Sequence, residues 1–264
     1  DQCEPLGAPA DVACLFRRTV VWGKKRGWRT LELRGGRQSL SHAPASLTYY
    51  GHSLDLTIGE QRLFENFDGS ARQAVRKAEK DGVTVELLES EDAVREFYEL
   101  QCQTRKRHGL PPQPFRFFQN IGRHILSTQQ GVVCLARYRG EAVAGAMFFF
   151  LGGRAVFKYG ASDQRWQQLR PNNLVMWTAI QWLVRHGCTS LSLGKTGLEH
   201  AGLRRFKLNL GAAEEPVEYV KFDLRASRFV VETDGVTGWH NWVFQSLPIA
   251  LSRSAGELLY RHWA

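Results

Sequence analysis

The sequence predicts an α/β fold built on a mixed sheet, and three observations lead to it. Between residues 83 and 193 the hydrophobic periodicity runs strand, two helices, three strands, helix, strand. The three central strands, at 131–138, 141–151 and 154–159, are joined by the tight turns Arg139-Gly140 and Gly152-Gly153, the mark of an antiparallel meander. The middle strand carries Ala144-Gly145-Ala146-Met147-Phe148-Phe149-Phe150, a run so apolar that it requires cover on both faces.

Each further element has its own warrant. Residues 10–25 read as a helix, with Val12, Leu15, Phe16 and Val20 at three- and four-residue steps and Gly27 as the stop. Leu31 and Leu33 share one face of a strand over 28–33, Gly35-Gly36 is a turn, and a polar loop with Pro44 leads to a second strand at 53–57. A helical stretch over 63–80 breaks near Asp68-Gly69-Ser70, with Ser70 as the expected N-cap of its second part. There Ala71, Ala74, Val75 and Ala78 form the apolar face, and Arg72, Arg76 and Lys80 stand on the other. Like charges at four-residue steps repel, so the row reads either as an anion-binding face or as a solvated one. A strand at 83–88 and a helix at 91–107 follow, and the cations Arg105, Lys106 and Arg107 suit that helix's C-terminal dipole. Gly109-Leu110-Pro111-Pro112 makes a rigid bend before a helix over 115–126. After the meander comes a polar bend, Gly160-Ala161-Ser162-Asp163. The helix over 171–186 is apolar nearly all round, which predicts burial. Leu191 and Leu193 then alternate with serines in a short strand ending at Gly194. A helix over 200–210, Gly211 and a closing strand to Leu224 complete the order. The tail at 225–264 is aromatic and basic, with Trp239, Trp242, Phe244, Leu258, Tyr260 and Trp263; docking back on the domain is expected, with a partner or a membrane surface as the alternatives.

At 264 residues and 43% hydrophobic, the chain is long enough for a large core. Lys+Arg number 35 and Asp+Glu 26, a formal net charge of +9, which suits an acidic partner such as nucleic acid, a nucleotide-linked substrate or an anionic membrane surface. The cysteines Cys3, Cys14, Cys102, Cys134 and Cys188 form no CxxC pair, which points to buried thiols in a reducing, cytoplasmic setting rather than to bridges or zinc. No apolar run reaches the roughly 18 to 20 residues of a spanning helix. The chain starts at Asp1, without Met, and reads as a fragment that has lost upstream sequence.

The motifs centre on Gly202-Leu203-Arg204-Arg205-Phe206-Lys207-Leu208-Asn209-Leu210-Gly211. At about 100° per residue, Leu203, Phe206 and Leu210 define a buried stripe, Lys207 lies at its edge and Arg205 faces away. A lysine so placed either snorkels to water or stands in a cleft as a fixed charge. Arg170-Pro171-Asn172-Asn173 lies where a helix begins, so free backbone N–H groups and the helix dipole favour an anion there, although Pro171 removes one donor; helix capping is the other reading of Asn172 and Asn173. Gly194-Lys195-Thr196-Gly197 is not a Walker A loop, because Thr189 stands where the motif needs its first glycine. His108, His124, His186 and His200 lack metal-ligand spacing, so no metal is expected.

Together these segments resemble a Fem-type (FemAB-like) acyltransferase, a relative of the GNAT N-acetyltransferases. Phe206-Lys207 and Gly211 are similar to that family's "rFK..fG" segment, and Arg72-Gln73-Ala74-Val75-Arg76-Lys77-Ala78 to its "R..vrkAek.G" helix. The resemblance implies a complete second GNAT-like domain at 82–224, a partial first one at 1–81 and a docked tail at 225–264. It implies Lys207, with Phe206, as the catalytic pair, the lysine stabilising the oxyanion of acyl transfer to an amine. Arg72, Arg76, Tyr159, Arg170, Asn172, Asn173 and Lys195 are the expected substrate-binding residues. The GNAT pyrophosphate loop (Q/R)xxGx(G/A) lacks its glycines here, which weighs toward aminoacyl-tRNA over acyl-CoA as donor; neither would be a resident cofactor. The implied acceptor is a nucleotide- or lipid-linked amine of a cell-envelope, peptidoglycan-type precursor, met in the cytoplasm or at the inner face of the membrane, with 225–264 offering peripheral contact. Two alternatives stay open: an acyl-CoA-dependent N-acetyltransferase, and a non-catalytic RNA- or membrane-binding module.

Overall fold

A computed structural model describes residue 3 and residues 5–40, 42–232 and 239–260. In chain order the elements are α1 (Pro9–Lys25), β1 (Thr30–Arg34), β2 (Leu47–Asp55), α2 (Glu60–Asn66), α3 (Gly69–Lys80) and β3 (Thr84–Leu88). Next come α4 (Glu91–Arg107), α5 (Phe115–His124), β4 (Gly131–Tyr138), β5 (Glu141–Leu151), β6 (Arg154–Ser162) and α6 (Pro171–Arg185). The remainder is β7 (Ser190–Gly197), α7 (Ala201–Asn209), β8 (Ala213–Asp223), β9 (Arg228–Val230), α8 (Trp239–Ser246) and α9 (Ile249–Leu259). The chain forms two compact units: Asp1–His52 with Gly194–Leu208 and Ala212–Val236, and Ser53–Leu193 with Asn209–Gly211 and Thr237–Ala264. These units interleave along the sequence, because β7 begins in the larger unit and ends in the smaller.

In the larger unit the strands lie in the order β7-β6-β5-β4-β3. The β3–β4, β4–β5 and β5–β6 pairs are antiparallel, and Gly140 and Gly153 take the left-handed φ (82° and 76°) that their hairpin turns demand. β6 and β7 pair in parallel, and only over Arg154–Val156 against Ser190–Ser192; β6 continues to Ser162 along β5. The meander is covered on both faces, as its apolar middle strand requires. Val133, Leu135, Met147 and Ala161 pack with Phe97, Tyr98 and Leu100 of α4 and Phe118 and Ile121 of α5. The alternate positions meet α6, where Phe150 lies edge-on to Trp182 at 5.5 Å. α6 is itself backed by α2 and α3, through Phe64 and Phe67 around Trp177. The C-terminal helices pack on α4: Arg253 pairs with Glu99, Arg105 donates to the Tyr260 hydroxyl at 3.2 Å, and Gly256 lies against the Pro112 carbonyl. Trp263 falls outside the described residues.

In the smaller unit β1 pairs antiparallel with β8, from Thr30↔Asp223 to Arg34↔Tyr219, and β9 flanks β8 on its other side over Lys221↔Val230 to Asp223↔Arg228. Phe16 of α1 stacks on Phe229 and meets Phe222 edge-on, which seats the helix on this sheet.

Four expectations need correction. β2 starts at Leu47, not Ser53, because the supposed polar loop supplies Tyr49, Gly51 and His52 as buried strand positions. Gly160, Ala161 and Ser162 extend β6 instead of bending, their register continued by Ala144, Gly145 and Ala146. The closing strand starts at Ala213 and runs through Pro216. Asp68, not Ser70, caps α3, accepting from the Ser70 backbone N–H at 2.8 Å.

Candidate active site

In the smaller unit, α7 turns charge inward. Lys207 is 3% exposed, and its Nζ donates to the backbone carbonyls of Gly194 at 2.9 Å and Lys195 at 3.2 Å. Gly194 (φ 71°) takes the left-handed conformation at that point in β7, where a side chain would be strained. Burial lowers the Lys207 pKa to about 8. The expected buried stripe of α7 is therefore only partly right. Leu210 is fully buried, but Leu203 is 43% exposed, and Lys207 lies in its place. The polar inward positions are those whose side chains reach partners, which lowers the cost of burying them.

Those partners form a connected set. Arg204, one turn before Lys207, makes a two-pronged bond to Glu214 of β8, both contacts at 2.7 Å, and lies over the Tyr50 ring at 3.9 Å. Glu214 also takes a bond from Nε2 of His52, on β2, at 3.0 Å. Arg204 holds the Glu214 carboxylate below its ordinary range. His52 is buried, and that burial, reinforced by the Lys207 charge, lowers its pKa and keeps the ring neutral at pH 7. With Nε2–H assigned to the carboxylate, Nδ1 is left as an acceptor with no hydrogen-bond partner among the described residues. The buried Thr196 hydroxyl is in the same condition. Lys195 places its ammonium over Tyr49 at 3.7 Å and Tyr219 at 4.6 Å. Lys207 is thus a fixed, nearly fully buried ammonium, in the same unit as the unengaged His52 Nδ1 and Thr196 hydroxyl. Phe206 is half-buried beside it in sequence.

The remaining expected residues belong to the larger unit. Arg72 binds the carbonyls of Glu65 and Phe67 at 2.5 and 2.6 Å, closing the C-terminus of α2. Arg76 is exposed, its guanidinium 5.9 Å from the Phe64 ring centroid. α3, which carries both, packs against α6, which Arg170, Asn172 and Asn173 open. Arg170 adopts a left-handed φ of 58° as the N-cap of α6 and makes no side-chain cap bond, so neither asparagine is the N-cap of that helix. Tyr159 packs with Phe117, Phe118 and Phe149, and its burial raises its hydroxyl pKa. Among the described residues no group of three or more His, Cys, Asp or Glu side chains is placed to hold a metal.

The structure thus brings Lys207 together with Lys195 in the smaller unit; in the larger, α3 packs on α6, but Arg72 is engaged on the end of α2 and Arg76 lies near Phe64, not on Arg170, Asn172 or Asn173. His52, Arg204 and Glu214 had no signal in the sequence: His52 and Glu214 are 162 residues apart. Only recognition of β2 at Tyr49-Tyr50-Gly51-His52 would have brought the histidine into view.

Residues 66–208 match the family described as acetyltransferase (GNAT) domain, just over half of the chain, and the chain belongs to that family. More particular likenesses follow the Fem-type line. Lipid II:glycine glycyltransferase of Staphylococcus aureus is 31% identical over 74 residues, a match covering 26% of this chain and only 18% of that relative's length. Among solved structures, FemX superposes with a TM-score of 0.64 at 16% identity, covering 80% of this chain and 76% of FemX. The C-terminal domain of a putative lysylphosphatidylglycerol synthetase from Agrobacterium fabrum gives 0.60 at 18% identity, covering 82% of this chain and 75% of that one. These structural likenesses establish the fold: the expected GNAT-like α/β architecture is the observed one.

Proposed function

We propose that this chain is an acyltransferase that moves an aminoacyl or acyl group onto an amine of a cell-envelope, peptidoglycan-type precursor. The observation that carries the proposal is Lys207: an ammonium held by two backbone carbonyls, nearly removed from water, inside the GNAT-family match. When the amine attacks the acyl carbonyl, a C–N bond forms and the carbonyl oxygen gains charge. A preorganised cation lowers that barrier because its attraction is strongest where water is excluded. The ester or thioester bond then breaks, and the departing oxygen or sulfur takes the electron pair and, in a substrate-assisted reaction, the amine proton. Arg72, Arg76 and the Arg170-Asn172-Asn173 corner are assigned to phosphates of donor or acceptor, Tyr159 to substrate contact in the larger unit, and Lys195 to the surroundings of Lys207 in the smaller.

The name of the S. aureus relative supports a lipid-linked acceptor, and the acetyltransferase description of the family supports acyl-CoA as an alternative donor to aminoacyl-tRNA. The test offers labelled acetyl-CoA and charged tRNAs as donors to nucleotide- and lipid-linked amine acceptors. The expected result is label on an acceptor amine from one donor class. No transfer from either donor to any acceptor would sink the proposal.

A further inference from the structure

We propose that α1 and the turn after it form a docking surface for an anionic lipid bilayer, separate from the acyl-transfer residues. Residues 9–29 hold six cations, Arg17, Arg18, Lys24, Lys25, Arg26 and Arg29, against one acid, Asp11, so the segment carries 6 − 1 = +5 of the chain's +9. Among the described residues none of the six is ion-paired; Lys24 bonds only the Ser227 hydroxyl, and Arg26 lies over the Trp22 ring at 5.2 Å. The inward face of the helix is already satisfied, with Val12 and Gly23 buried and Phe16 in the aromatic cluster. The outward arc combines those cations with apolar side chains left in solvent: Leu15 at 55% exposure, Val21 at 56% and Trp22 at 50%. Trp28, set edge-on to Trp22 at 5.0 Å, continues the patch, and Gly23 admits it, since a Cβ there would lie 2.7 Å from the Trp28 ring.

Unpaired basic residues interleaved with indoles and aliphatics are what an interface between water and anionic headgroups accommodates. The cations meet phosphates, the indoles sit at headgroup depth and the aliphatic groups reach the acyl boundary. RNA would use the cations and the indoles but would leave Leu15 and Val21 without a role, so the bilayer is the occupant the composition favours.

The test is flotation of the full chain with vesicles of phosphatidylcholine alone or with about one quarter phosphatidylglycerol, at about 50 and about 300 mM salt. Binding is expected only with the anionic lipid, weaker at the higher salt, with a blue shift of tryptophan emission. Arg18→Glu with Lys25→Glu should lower the partition coefficient by about tenfold or more. Trp22→Ser should remove most of the blue shift and weaken binding at unchanged charge. Both variants alter exposed side chains, and unchanged thermal melting establishes that they fold. Absence of vesicle binding, indifference of binding to both variants, or capture of a short single-stranded RNA in place of vesicles would overturn the proposal. The assay reads lipid binding alone, so its outcome is independent of whether acyl transfer is found.

Discussion

At the scale of residues, Lys207 carries two opposite pH dependences. Its pKa is about 8 when folded, against an ordinary lysine value of 10.5. Below pH 8 it is protonated folded or unfolded. Between about 8 and 10.5 the unfolded chain binds the extra proton, so this group makes stability rise with pH, by on the order of 3 kcal/mol in full. Activity that needs the ammonium falls through the same window. Denaturation of the wild type and Lys207→Met from pH 7 to 10 should show a rise in the first that the second lacks. A second expectation concerns Glu214. Glu214→Gln leaves Arg204 without its carboxylate and removes the negative charge that raises the His52 pKa. The histidine should therefore titrate still lower by NMR, with a loss of about 1–3 kcal/mol in stability. The legibility of these residues was uneven. Lys207 stood out because a short motif resembles a known one, whereas His52 and Glu214 meet only through the pairing of β strands far apart in sequence.

At the scale of elements, the clearest predictions were those with local signals. The meander of β4, β5 and β6 was legible because glycine turns separate apolar runs, α4 because its periodicity is long, and α6 because a long apolar stretch runs from Pro171 to a stop at Gly187. β2 was hidden, since Tyr49-Tyr50-Gly51-His52 has no strict alternation. Its fit comes from β8, where Gly51 allows the approach of Val217, whose Cγ2 lies 2.7 Å from the position of a Cβ on Gly51. β8 was obscured at its start by Glu214-Glu215-Pro216, a sequence that reads as a turn. The seating of α9 tests another non-local feature. A Cβ on Gly256 would stand 2.1 Å from the Pro112 carbonyl oxygen, so Gly256→Ala must push the helix off the bend at 109–112. A loss of about 1–3 kcal/mol and faster proteolysis within 239–260 are expected. Wild-type resistance in the variant would show that this close approach is not what seats α9.

For the whole molecule, the formal charge of +9 gains a location: over half of it lies on α1 and the turn after it, where the sequence reading had looked to Arg72, Arg76 and the tail. No helix among the described residues is long and apolar enough to cross a membrane. Whether Lys207 supports acyl transfer is read from single-turnover transfer of a labelled acyl group to the amine acceptor, wild type beside Lys207→Met. Loss of one oxyanion-stabilising group predicts a rate lower by about a hundredfold or more with a folded variant. Equal rates in the two proteins would contradict it.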